Sequence, residues 1–200
     1  MKRTGILGGT FDPVHYGHIR LAEDAAEMAG LDTVKLVPAR IQPFKADQDV
    51  TADDDRLAML RIACEENEIL SVSTIELDEP RISYTYLTLK EIKTLLDNDD
   101  KIFFITGTDS FIEMENWYRG PDILREFDVI VGIRPGYREE EVYKAAERYE
   151  SMHGAGITVL QNRRLDISST EIRKLLSEGG STEGLIPEGV RKYIDEHGLY

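Results

Sequence analysis

Gly8-Gly9-Thr10-Phe11-Asp12-Pro13-Val14-His15-Tyr16-Gly17-His18-Ile19 lies between a short apolar run and a segment with helical periodicity. Ile6 and Leu7 bring the backbone to the carboxyl end of a strand, and two residues without a Cβ then let the chain pass close to a ligand. His15 and His18, three apart at a helix start, fall on one face beside the positive end of the helix dipole, where an anion is favoured. The stretch reads as a phosphate-handling corner between strand and helix. A metal site would need third and fourth ligands, yet His153, His197 and the single Cys64 lie in unrelated surroundings. A structural role, with His15 packing and His18 capping, is the other alternative. The glycines do not follow Gly-x-Gly-x-x-Gly, so an NAD-binding site is not supported.

Outward from this corner, strand and helix patterns alternate. Brief apolar runs at 5–7, 34–37, 101–106, 129–133 and 157–160 are candidate strands. Helical periodicity runs through 19–29, 54–66, 86–96, 139–149 and 169–176, with Gly30 placed to end the first helix. Such a series favours an α/β fold of Rossmann-like, doubly wound type: a parallel sheet with helices on both faces and ligands beyond the strand carboxyl ends. The longest irregular stretch, 38–55, has the length of a lid or binding loop.

With 200 residues, 41% of them apolar and 31% charged, the chain suits one globular domain with a sizeable core. A net charge of −14 argues against nucleic acid or an anionic membrane as partner, since either needs a basic stripe. The expected partners are small molecules, met by a few cations converging in one cleft. No run is long enough to span a bilayer, and a lone cysteine on a helical apolar stripe fits a reducing cytoplasm. The helical tail at 188–197 has an apolar side that either this chain's own core or a second subunit, in a homodimer, must cover.

Near the other end, Ile167-Ser168-Ser169-Thr170-Glu171-Ile172-Arg173 opens a helix. Ser168-x-x-Glu171 is a capping box and explains those two residues without any further role. Arg173 is read in the same first turn, where a cation works against the dipole; a bound anion would repair that conflict.

These two stretches together resemble the (H/T)xGH and ISSTxIR signatures of the nucleotidyltransferase superfamily. More narrowly, the chain is similar to the bacterial nicotinate-nucleotide adenylyltransferase family over nearly all its length, including Ser83-Tyr84-Thr85, Gly107-Thr108-Asp109, Trp117-Tyr118, Arg134-Pro135-Gly136 and Gly198-Leu199-Tyr200. The resemblance implies one nucleotidyltransferase domain over 1–200, completed by the segment from about 168. It implies the substrates ATP and nicotinate mononucleotide, with Mg²⁺ accompanying ATP and no dedicated protein metal site.

By this resemblance ATP is held by Gly8, Gly9, Thr10, Phe11, His15, His18, Gly107, Asp109, Ile167, Ser168, Ser169, Thr170 and Arg173. The nicotinate mononucleotide falls to Gly9, Thr10, Lys45, Ser83, Tyr84, Thr85, Asp109, Trp117, Tyr118 and Arg134. His15, His18, Lys45 and Arg173 are expected to neutralise charge on departing pyrophosphate. Lys45 stands in Gln42-Pro43-Phe44-Lys45, where Phe44 replaces the histidine of the family's Pro-His-Lys pattern.

Blander readings stand beside several of these. Lys45 alone would be a solvated loop lysine, Thr85 can cap a helix starting at Tyr86, and Asp109 can cap whatever follows Gly107-Thr108. Trp117, the only tryptophan, sits in the polar setting Glu115-Asn116-Trp117-Tyr118-Arg119-Gly120, where stacking on a pyridinium competes with a surface-groove role. Arg134 either meets a phosphate or forms a surface salt bridge. Two other functions compete with the main one. An adenylyltransferase for phosphopantetheine would share the ATP motifs but commonly has Thr where His15 stands. A silent nucleotide sensor would bind ATP without releasing pyrophosphate.

Overall fold

The structure is a computed structural model that describes residues 1–41, 50–65, 67–136, 138–161 and 166–200. Six strands, β1 (Arg3–Gly9), β2 (Thr33–Pro38), β3 (Leu70–Val72), β4 (Lys101–Gly107), β5 (Asp128–Gly132) and β6 (Ile157–Leu160), form one sheet in the order 3-2-1-4-5-6, every pair parallel. The chain winds outward from β1 to β3 and then returns to lay β4 against the other side of β1. The carboxyl ends of β1 and β4 diverge into oppositely running connections at this switch point, which opens a crevice there.

Around the sheet lie α1 (Tyr16–Ala29), α2 (Asp53–Cys64), α3 (Thr85–Thr94), α4 (Thr108–Ile112), α5 (Gly120–Glu126), α6 (Glu139–His153), α7 (Ser169–Ser177) and α8 (Glu188–His197), with a 3-10 turn at Met114–Asn116. Strand side chains alternate between faces, so each strand feeds two cores. Leu7, Leu36, Phe103, Ile105 and Ile130 point to one face and meet Ile19, Ala22 and Ala25 of α1, Met59 and Leu60 of α2, Ile172 of α7, and Val190 and Ile194 of α8. Ile6, Val37, Phe104, Val129 and Val131 point to the other, under α3, α4, α5 and α6. The apolar side of α8 is thus covered by this chain's own core.

All five expected strands form; five of the expected helical stretches form with shifted ends, and the tail helix forms at 188–197 as expected. Gly30 ends α1 in the left-handed conformation (φ 59°), as its sequence position implies. β3, α4 and α5 were not expected. β3 has three residues with Ser71 at its centre, and its conformation comes from pairing Leu70 and Val72 with Val34 and Leu36. Among the described residues no helix is long and apolar enough to cross a membrane.

Candidate active site

The first corner is held from beneath. Arg56 is fully buried and donates to the carbonyls of Thr10 (2.7 Å), Ala39 (2.9 Å) and Thr51 (3.0 Å), with Asp53 as its ion-pair partner. A cation in this position satisfies carbonyls that the turn could not otherwise pair. Arg56 was missed in the sequence, although it lies three and four residues before Met59 and Leu60 on the apolar stripe of α2.

On this floor His15 is the N-cap residue of α1, and its ring stacks on that of His18 with centroids 3.7 Å apart and planes 23° apart. Phe11 meets His18 edge-on at 4.8 Å. A Cβ on Gly17 would come within 2.9 Å of the His15 ring, so the stack needs glycine there. One on Gly8 would meet nothing within 4 Å, leaving the backbone open to the cleft.

His15 is buried, and its Nδ1 meets nothing better than its own backbone. Burial, reinforced by the Arg134 guanidinium and opposed by the backbone contact, lowers its pKa from 6.5 to about 3. The buried imidazole is therefore neutral at physiological pH in this structure, so what it can offer an anion here is a hydrogen bond rather than charge.

The second corner closes directly on the first. Ser168 caps α7, accepting from Glu171 N at 3.2 Å, while the Glu171 carboxylate takes the Ser168 hydroxyl instead of the cap's backbone N–H. Ser169 Oγ donates to Pro13 O (3.0 Å) and Arg173 Nη1 to Asp12 O (2.7 Å), with the Asp12 carboxylate 3.9 Å away. Arg173 is the fifth residue of α7, past the first turn where it was placed from sequence, and Asp12 already offsets its charge. Its side chain is still 34% exposed and lines the cleft.

Asp12 is the junction of this region and was not singled out as a site residue. Its buried carboxylate also accepts from the Tyr200 hydroxyl and from Thr51 N (3.4 Å). The isolated sequence carries no signal for a contact joining positions 12, 51, 173 and 200.

Two cavities adjoin at the carboxyl ends of β1 and β4 and share Gly8, Gly9, Thr106, Asp109 and Ser110 as a common wall. The first, about 380 Å³, is lined by Thr10, Phe11, His15, His18, Gly107, Arg134, Ile167, Ser168, Ser169, Thr170 and Arg173. The second, about 300 Å³, takes Ser83, Tyr84, Thr85, Trp117 and Tyr118, with Glu76 and Thr88 deeper in. There Tyr84 and Tyr118 meet at 4.5 Å, and Trp117 packs edge-on to Phe104 at 6.3 Å. Trp117 is half-buried and leans on the core beneath α3 and α5 as well as facing this cavity.

Arg134, expected on the acceptor side, lines the first cavity, where it pairs with Asp109 at 3.3 Å; Thr10, expected to meet both substrates, lines the first cavity as well. The two capping alternatives do not apply. Thr85 is the first residue of α3 rather than its cap, and Asp109 lies inside α4, whose N-cap is Gly107. Lys45 lies outside the described residues. Among those residues no three His, Cys, Asp or Glu gather as a metal site.

A parallel sheet in this order, with a glycine-opened and a serine-opened corner facing one cleft, defines an α/β nucleotidyltransferase. The cytidylyltransferase-like family profile matches residues 6–175. A probable nicotinate-nucleotide adenylyltransferase of Clostridium botulinum (strain Eklund 17B / Type B) is 39% identical over 200 residues, covering 100% of this chain and 98% of that protein. One of Pseudomonas putida (strain W619) is 38% identical over 210 residues, covering 100% and 95%. Among solved structures, the Plasmodium falciparum nicotinic acid mononucleotide adenylyltransferase complexed with NaAD superposes with a TM-score of 0.79 at 22% identity, covering 100% of this chain and 98% of that one. The chain belongs to the cytidylyltransferase-like family and, within it, to the nicotinate-nucleotide adenylyltransferases.

Proposed function

We propose that the protein transfers the adenylyl group of ATP to nicotinate mononucleotide, giving nicotinate adenine dinucleotide and pyrophosphate. The observation that carries this reading is the pair of adjoining cavities with a common wall. One is lined by polar groups and cations from both signature corners, the other by aromatic rings. A triphosphate in the first and a pyridine nucleotide in the second would bring the acceptor phosphate to the α-phosphorus at the wall they share. Full-length relatives named for this activity support it.

In the reaction an acceptor phosphate oxygen bonds to the α-phosphorus as the bond to the bridging oxygen breaks, and pyrophosphate leaves with that electron pair. The attacking oxygen is anionic at neutral pH, so alignment and charge stabilisation carry the step. In this reading Arg173 and the N-termini of α1 and α7 hold the β- and γ-phosphates. His18 and neutral His15 donate hydrogen bonds to the developing charge, and Lys45 adds its cation. Trp117 offers its face to the pyridinium.

ATP enters as its magnesium complex. Asp12 is engaged by Arg173 and Tyr200, and Asp109 by Arg134, so the ion would keep phosphate oxygens and water as its main ligands. When bound it offsets triphosphate charge. The domain in this reading is the whole chain, the segment from 168 closing the triphosphate cleft, and its place of action is the cytoplasm.

The test is pyrophosphate release with ATP, Mg²⁺ and each of nicotinate mononucleotide, nicotinamide mononucleotide and phosphopantetheine. Fastest release with the first is expected. A faster reaction with phosphopantetheine, or no release with any acceptor, would overturn the assignment.

A further inference from the structure

The acceptor cavity contains a carboxyl group that the mechanism above does not use. Glu76 lies in the turn after β3, is 9% exposed, and lines the aromatic cavity alongside Tyr84 and Thr88. It is hydrogen-bonded to the Thr88 hydroxyl from α3 and to the Ser83 hydroxyl, which itself accepts from Arg40 N at 3.1 Å. Thr88 Oγ1 also lies 3.3 Å from Tyr84 O. Thr88 donates to Glu76 Oε1, with Tyr84 O as a longer alternative acceptor, so the carboxyl is buried on the pocket wall with hydroxyls as its hydrogen-bond partners. Burial without an ion-pair partner in contact among the described residues favours the neutral acid.

The surroundings agree. Burial pushes the Glu76 pKa up, against the opposing effects of Thr88, Ser83 and the Arg81 guanidinium. Arg81 is itself drawn off by Glu91 of α3. On the chain leaving β2, the Arg40 guanidinium donates to Leu77 O and lies 3.8 Å from the Asp53 carboxylate of α2. Across the cavity the facing charge is Asp109 of α4, which pairs with Arg134. In the turn that carries Glu76, Asp78 accepts from Thr74 Oγ1 at 2.9 Å.

We propose that Glu76 sets the acceptor pocket's preference for the substituent on the pyridine ring, admitting a carboxylate while protonated and turning it away once ionised. This rests on the acceptor reading above. Nicotinate and nicotinamide mononucleotides share the pyridinium, ribose and phosphate, so those interactions cancel between them; only the anionic carboxylate and the neutral amide differ. A buried anion on the pocket wall repels the first and accepts a hydrogen bond from the second. Glu76 is thereby a specificity residue that favours nicotinate in its acid form.

The experiment titrates the fluorescence of the single tryptophan, Trp117, with each mononucleotide from about pH 5 to 9 in wild type, Glu76→Gln and Arg81→Gln. In wild type the Kd for nicotinate mononucleotide should rise relative to that for nicotinamide mononucleotide by about tenfold as pH increases, which is about 1.4 kcal/mol. Glu76→Gln, which keeps an amide for Thr88 and Ser83, should hold the ratio flat. Removing the Arg81 cation should move the change to higher pH, which keeps the proposal testable if Glu76→Gln fails to fold. A ratio independent of pH in wild type, or the same slope in Glu76→Gln, overturns the role of Glu76 and leaves the acceptor assignment intact. Failure of either mononucleotide to bind at any pH refutes that assignment instead.

Discussion

Acidification should weaken the protein through His15 in a way that can be isolated. In the folded protein the imidazole resists protonation, with a pKa near 3, whereas in the unfolded chain it takes up a proton near its ordinary 6.5. The folded state is therefore disfavoured as pH falls below 6.5, and the effect grows until the folded-state value is reached; above 6.5 it vanishes. At pH 5 the unfolded chain has gained about 1.5 pK units of proton-binding free energy, or about 2 kcal/mol, that the folded chain has not. His15→Gln removes this difference while carboxylates elsewhere titrate identically in both proteins. Urea unfolding of the pair at pH 7 and pH 5 is the assay. Wild type should lose about 2 kcal/mol more than the variant between the two. Equal losses, or an NMR titration placing the His15 ring near pH 6.5, would refute the reading that this imidazole works uncharged.

Further outcomes follow from the same geometry. His18→Ala and Arg173→Ala should each lower turnover by about a hundredfold, as loss of one preorganised donor does; Arg173→Ala should also lower the melting temperature, because the buried Asp12 loses its cation. Arg56→Met strands the carbonyls of Thr10, Ala39 and Thr51 and leaves Asp53 with only the more distant Arg40 as cation among the described residues, so thermal unfolding should report a loss of about 3–5 kcal/mol. Trp117→Ala should raise the KM for nicotinate mononucleotide by about tenfold, from loss of roughly 1 kcal/mol or more of cation–π contact, while the KM for ATP stays constant.

What could be read from the sequence was local. Gly8 to His18 and Ile167 to Arg173 carry their geometry in short-range spacing: a strand end, residues without Cβ, a capping box, and imidazoles one turn apart. Alternating apolar runs were enough for a parallel sheet covered on both faces. β3 escaped because three residues show no period and its partner strand confers its shape. Asp12, Arg56 and Tyr200 escaped because their significance is a meeting of distant segments. Arg56 left a trace, a cation on an apolar helical stripe, whereas Asp12 left none. Spacing reports position and not burial, so the low pKa of His15 left no mark in the sequence. Thr85 and Asp109 are ordinary capping residues by type, yet their helices begin one and two residues earlier than a capping role would require.

The central claim is that the glycine-opened and serine-opened corners grip one triphosphate. A crystal structure with a non-hydrolysable ATP analogue and Mg²⁺ tests it most directly. The account predicts phosphate oxygens within about 3 Å of both the His18 imidazole and the Arg173 guanidinium. A triphosphate that touches only one of them, or lies outside the cleft between α1 and α7, would contradict it.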